Sequence, residues 1–128
     1  INQTANKLNN KFNLLLQTYD IAPEQRATLE IIKYEKDVNQ TKIAQISGKD
    51  KTTISRTLAT LEKKGFISKI QIDKRTNQIE LTPLSQKVLE ESSQEVKDFR
   101  QNLISNLSEN EVQELIRLLE KVALNVKE

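Results

Sequence analysis

Leu8, Phe12, Leu15 and Tyr19 recur at spacings of four, three and four, which is one face of a helix, and neither Gly nor Pro interrupts it. Pro23 fits a first helical turn, where its missing N–H costs nothing, and Glu24 suits the positive end of that helix. The pattern predicts that this second helix runs to about Tyr34, with Ala27, Ile31 and Tyr34 on one face and Leu29 and Ile32 beside it, largely buried. Asn39 can cap a short third helix through Ser47, whose apolar side is Ile43, Ala44 and Ile46. Gly48 breaks it, and Asp50 is the natural N-cap of a fourth helix that continues to Lys64 and stops at Gly65. Two helices joined by so tight a turn form a helix-turn-helix unit.

The period then changes. Phe66–Ile72 is short and rich in β-branched residues, Asp73–Gln78 is polar, and Ile79–Leu81 supplies a second short strand, so the pair reads as a hairpin. Thr82 can cap and Pro83 can open a long helix carrying Leu84, Val88, Val96, Phe99 and Leu103. Ser108 with Glu111 forms a capping box for a last helix, along which Val112, Leu115, Leu119, Val122 and Val126 follow one another, with Ile116 and Ala123 widening the stripe. The predicted class is mainly α: a winged helix-turn-helix with a two-stranded β wing and terminal dimerisation helices. One domain over residues 1–128 is expected, with a reading unit at 36–82 and dimerisation helices at 1–22 and 83–128.

On the fourth helix, with Ile54 as origin, Leu58 and Leu61 fall within about 40° of it, so these three pack inward. Thr52, Arg56, Ala59 and Lys63 fall on the opposite side, with Thr53 and Ser55 on the flanks. A face so small and basic can enter a major groove. Arg56 can donate a bidentate pair to guanine, and Thr52, Thr53 and Ser55 can meet base edges or phosphates. Lys49 and Lys51 sit at the helix start, where free N–H groups favour phosphate, and Lys42, Lys63, Lys64 and Lys69 are further candidates for phosphate. On the hairpin, Lys74 and Arg75 can reach a neighbouring minor groove, and Asp73 is better suited to orient Arg75 or cap the turn than to meet phosphate.

Charge strengthens this picture. Residues 36–82 carry ten Lys/Arg against five Asp/Glu, whereas 1–35 balance at four each and 83–128 carry six against nine. The positive field is confined to the segment that holds the helix-turn-helix, and it draws a polyanion there. The chain has no Cys and no His, which excludes thiol redox sensing, disulfides, Cys/His zinc sites and Ser–His or Cys–His catalysis within these residues. No enzyme activity, cofactor or metal is expected. No apolar run approaches the roughly 18 residues of a membrane span, and residues near Ile1 lack the pattern of a signal peptide. A soluble, cytoplasmic protein is expected, with native residues preceding Ile1.

The run Asp50-Lys51-Thr52-Thr53-Ile54-Ser55-Arg56, followed by Leu61-Glu62-Lys63-Lys64-Gly65-Phe66-Ile67, resembles the multiple-antibiotic-resistance regulators, the MarR family. The wing signature, Asp-any-Arg, stands as Asp73-Lys74-Arg75, and Leu81-Thr82 opens the next helix as in that family; Ser85 stands where many relatives have Gly. The resemblance implies that Thr52, Thr53, Ser55 and Arg56 face the major groove, that Arg75 enters the minor groove and that Asp73 fixes it. It implies a triangular homodimer with interlocked terminal helices, repression of transcription, and release of DNA when a small anionic or phenolic ligand binds between the dimer region and the reading unit.

The apolar faces support pairing independently. Leu8, Phe12, Leu15 and Tyr19 at one end, with Phe99, Leu103, Val112, Leu115, Ile116, Leu119 and Val122 at the other, are candidates for a dimer interface, although packing of the two termini within one chain could also absorb them. Two-fold symmetry suits a palindromic double-stranded site whose halves lie about one DNA turn apart. A ligand cleft is expected near Tyr19, Tyr34 and Phe66. Two other functions stay open: a constitutive DNA-binding or antirepressor protein with no effector, and a winged-helix protein–protein module.

Overall fold

The computed structural model describes residues 1–74 and 77–126. The chain folds as two compact units, Ile1–Gln94 and Glu95–Glu128. Along it run α1 (Asn2–Gln17), α2 (Pro23–Tyr34), α3 (Gln40–Ser47), α4 (Lys51–Lys63), β1 (Ile67–Gln71), β2 (Asn77–Leu81), α5 (Pro83–Leu103) and α6 (Glu109–Ala123).

The helix boundaries follow local chemistry. Pro23 opens α2, and Gln25 Oε1 accepts from the Ala22 N–H at 3.1 Å, satisfying one donor of the first turn. Asn39 caps α3 by accepting from Lys42 N–H at 2.8 Å, and Gly48 ends it at φ 73°, a backbone angle that glycine adopts without steric cost. Asp50 caps α4 by accepting from Thr53 N–H at 2.7 Å. At the far end Phe66 N–H bonds Leu61 carbonyl at 2.9 Å and Gly65 N–H bonds Glu62 carbonyl at 3.0 Å, a Schellman closure with Gly65 at φ 81° and the buried Leu61 and Phe66 behind it.

The strands pair antiparallel from Ile67 opposite Leu81 to Gln71 opposite Asn77. Ile79 N–H also bonds the Val38 carbonyl at 2.9 Å, which ties the α2–α3 connection to β2. The core of the first unit gathers Leu16, Leu29, Ile43, Ile54, Leu58, Leu61, Phe66, Ile67, Ile79 and Leu89. In the second unit Val96 is buried and Phe99 half-buried, whereas α6 has no buried residue. Its Ser108–Glu111 capping box is closed in both directions, at 3.1 and 2.8 Å. Among the described residues no helix is long and apolar enough to cross a membrane.

Several expected faces are turned. In α1 the fully buried side chain is Leu16, and Tyr19 lies beyond the helix in the turn that Asp20 closes at φ 56°. The inward side of α2 is Arg26, Leu29 and Ile32, with Thr28 also buried; Ala27 is exposed and Tyr34 is 74% exposed, its ring beneath the Lys33 ammonium at 5.2 Å from the centroid. Both faces have helical spacing, so periodicity alone could not choose between them. Ile46 and Leu84 are likewise exposed rather than packed. On α5 the buried positions are Ser85, Val88, Leu89, Ser92 and Val96, a stripe that includes two serines where only apolar residues are expected.

Candidate nucleic-acid interface

The α3–α4 pair is joined by three residues, and Gln40 Nε2 braces it by donating to the Lys51 carbonyl at 3.3 Å. Within α4, Ile54, Leu58 and Leu61 are 0%, 1% and 0% exposed, the inward face the 100° spacing requires. Thr52, Ser55, Arg56, Ala59 and Lys63 are exposed, and Thr53 is half-buried. Two hydroxyls on this helix are already engaged: Thr57 Oγ1 donates to the Thr53 carbonyl at 3.0 Å and Thr60 Oγ1 to the Arg56 carbonyl at 3.1 Å.

The cap also shapes the electrostatics. Asp50's carboxyl is held below the usual aspartate range, chiefly by the Thr53 N–H, then by the Thr53 side chain, with the Arg56 charge a smaller contribution. Asp50 is therefore ionised at neutral pH and holds the first turn of α4 while Arg56 points outward.

The six lysines expected at phosphate divide into two groups. Lys49, Lys51 and Lys63 are exposed. The other three have ammonium groups aimed at the protein. Lys64 Nζ donates to the Asp20 carbonyl at 2.7 Å and to Gln25 Oε1 at 3.3 Å, and it lies 3.6 Å from the Asp20 carboxylate. Lys42 Nζ donates to the Lys36 carbonyl at 2.7 Å with Glu35 at 3.7 Å, and Lys69 faces Glu62 at 4.0 Å. On the wing, Asp73 and Lys74 are exposed; Arg75 lies outside the described residues, so the expected Asp73–Arg75 pairing does too.

The reading helix is fastened to α5 directly. Thr82 Oγ1 donates to the Gly65 carbonyl at 2.6 Å, and Thr82 and Ser85 cap each other at 3.1 and 3.3 Å. Ser85, the departure from the family's glycine, is fully buried and used as a cap. A second tie was not legible in the sequence: Arg26 Nε donates to Ser92 Oγ at 3.1 Å, while the guanidinium also pairs with Glu30. Arg26 stands three residues before Leu29 and six before Ile32, so its place in the stripe was visible but its polarity hid it.

A ligand cleft is expected near Tyr19, Tyr34 and Phe66. Phe66 is buried, Tyr34 projects from the end of α2, and Tyr19 Oη donates to the Glu91 carbonyl at 3.4 Å. None of the three lines either of two cavities in the first unit. One, of about 610 Å³, lies among Asn10, Asn13, Gln17, Asp20, Gln25 and Lys64; the other, of about 760 Å³, lies among Lys33, Lys36, Val38, Glu80 and Glu90. Of the candidate dimer residues, Leu8, Leu103, Leu115, Ile116, Leu119 and Val122 are exposed, while Phe12, Leu15, Tyr19, Phe99 and Val112 are half-buried.

Fold and interface together define a winged helix-turn-helix DNA-binding transcription regulator. The MarR family model matches residues 21–76. A MarR/EmrR family transcriptional regulator from Acinetobacter sp. ADP1 is 31% identical, over 95% of this chain and 88% of its own, with a TM-score of 0.82. The MepR–DNA complex of S. aureus is 25% identical over 98% and 93%, with a TM-score of 0.89. MarR from E. coli complexed with operator DNA is 28% identical over 94% and 91%, at 0.79. The chain belongs to the MarR family; it is a transcription regulator and not an enzyme.

Proposed function

We propose that this chain is a ligand-responsive repressor that binds a palindromic double-stranded DNA site as a homodimer. The observation that carries the reading is α4: three apolar side chains lie wholly inside while Thr52, Ser55 and Arg56 stand in solvent behind an ionised cap. In this reading Thr52, Thr53, Ser55 and Arg56 meet base edges in the major groove, Arg56 pairing with guanine. Lys49, Lys51 and Lys63 meet phosphates, and Lys74 with Arg75 and Asp73 forms the minor-groove wing. The solved complexes of S. aureus MepR with DNA and E. coli MarR with operator DNA support it.

Pairing is assigned to segments 1–22 and 83–128. Leu115, Ile116, Leu119 and Val122 on α6 are between 43% and 64% exposed, an apolar face of the kind that monomers seldom leave in water. A second copy covers it and sets two α4 helices about one DNA turn apart.

The effector is assigned to the cavity of about 610 Å³ beside Lys64, in place of the expected aromatic cleft. Its amides and one ammonium suit a small carboxylate or phenolate. Such an anion competes with Asp20 for Lys64 and so acts on the link between the α1–α2 turn and the end of the reading helix.

The test is selection of bound sequences from random DNA, with the mass of the complex measured on the selected duplex. Two chains on an inverted repeat are expected. Recovery of no consensus, or one chain per duplex, would reject the reading.

A further inference from the structure

We infer that Thr60 is a specificity residue that reads a thymine through its methyl group, an assignment that rests on the DNA reading above. Thr60 is exposed and lies four residues after Arg56, which places it about 40° around the helix from Arg56 and roughly 6 Å further along the axis, close to two base steps. It therefore belongs to the same outward surface, one turn beyond the guanidinium.

Its chemistry differs from that of the first turns. The Thr60 hydroxyl hydrogen is committed to the Arg56 carbonyl at 3.1 Å, so it has no donor left for a phosphate or a base acceptor. Its one apolar group beyond Cβ is Cγ2, and on an exposed residue this methyl is available to a base. The neighbouring exposed residue, Ala59, also carries only a methyl. Thr57 is back-bonded in the same way, to the Thr53 carbonyl, but is half-buried and turned toward the core side of the helix. The outward surface is thus divided: hydroxyls and a guanidinium at Thr52, Ser55 and Arg56, then methyls at Ala59 and Thr60. Thymine is the base that presents a methyl in the major groove, and a methyl of Ala or Thr is its natural partner.

The experiment uses the full chain and a duplex selected from random DNA, with each thymine of a half-site replaced in turn by 2′-deoxyuridine. Affinities are read by fluorescence anisotropy at one fixed salt concentration. Wild type is expected to lose about fourfold at one thymine, the value of one buried methyl. Thr60→Ser, which keeps the hydroxyl and drops the methyl, should lose about that factor at each half-site, about sixteenfold for two chains on the unsubstituted duplex, and become indifferent to deoxyuridine there. Thr60→Val, which keeps the methyl and drops the hydroxyl, should remain sensitive. Equal binding of wild type to every substituted duplex overturns the inference, as does a deoxyuridine effect that Thr60→Ser leaves unchanged. A wild-type chain that binds the selected duplex no better than a random-sequence duplex of the same length overturns the DNA reading itself and this assignment with it, a different and recognisable failure.

Discussion

Arg26 on α2 and Ser92 on α5, sixty-six positions apart, meet through a 3.1 Å hydrogen bond in the interior of the first unit. Arg26 is 5% exposed and Ser92 fully buried; Ser92 passes its own hydrogen to the Val88 carbonyl at 2.7 Å, so the hydroxyl is used both as acceptor and as donor. The pair holds α2 against the long helix that follows the wing.

Ser92→Ala leaves the buried Arg26 Nε without its acceptor, and the chain should lose about 1–3 kcal/mol of stability. Urea denaturation followed by circular dichroism measures it. A midpoint equal to wild type would mean that Arg26 finds another partner and that the tie contributes little.

Arg56→Ala removes an exposed side chain, so stability should change by less than about 0.5 kcal/mol. Discrimination between the selected site and one altered at the paired guanine should fall by about 1–3 kcal/mol. Competition binding with both duplexes separates the two effects. Undiminished discrimination would strip Arg56 of its role.

Asp50 makes the stability of α4 depend on pH. Its carboxyl titrates lower in the folded chain than in the unfolded one, because the Thr53 N–H stabilises the ionised form. The cap's contribution is therefore complete above the unfolded value of about 3.9 and is lost as pH falls below it through the folded value. Asp50→Asn keeps an acceptor but does not titrate. Between about pH 5 and pH 2 the wild-type melting temperature should fall further than that of Asp50→Asn; parallel curves would show that the cap does not carry this dependence.

Lys64→Met breaks the hold on Asp20 and Gln25 at a cost of up to about 1 kcal/mol. If the adjoining cavity takes the effector, salicylate should release wild-type DNA in a dose-dependent way and act weakly on the variant. Identical dose curves would move the effector elsewhere.

Leu119→Glu sets a charge in the exposed α6 face and should shift the chain toward its monomer mass of 14.7 kDa in sedimentation equilibrium. The slope of log affinity against log salt should then drop to roughly half, since one chain reaches half the phosphates. A mass unchanged from wild type would place the interface away from Leu119.

Much of the interface could be read along the chain because it is local. Asp50, Ile54, Leu58, Leu61 and Gly65 lie on one short helix, where a cap, a 100° turn per residue and a left-handed stop set the outward face without reference to anything distant. The lysines show the limit. Lys63 and Lys64 are neighbours in sequence, yet one is exposed and the other reaches back forty-four positions to Asp20, a pairing that depends on how α1, α2 and α4 approach each other.

The amino-acid order therefore determined the helices, their caps, the turn between α3 and α4 and the side of α4 that faces out, because each follows from interactions within a few residues. The tertiary structure alone decided which of two helical stripes on α2 is covered, that Arg26 is inside with Ser92, that Tyr34 stands in solvent, and which cations remain outward. Those outcomes come from the packing of elements remote in sequence, where a polar group can be buried once a distant partner meets its hydrogen bonds.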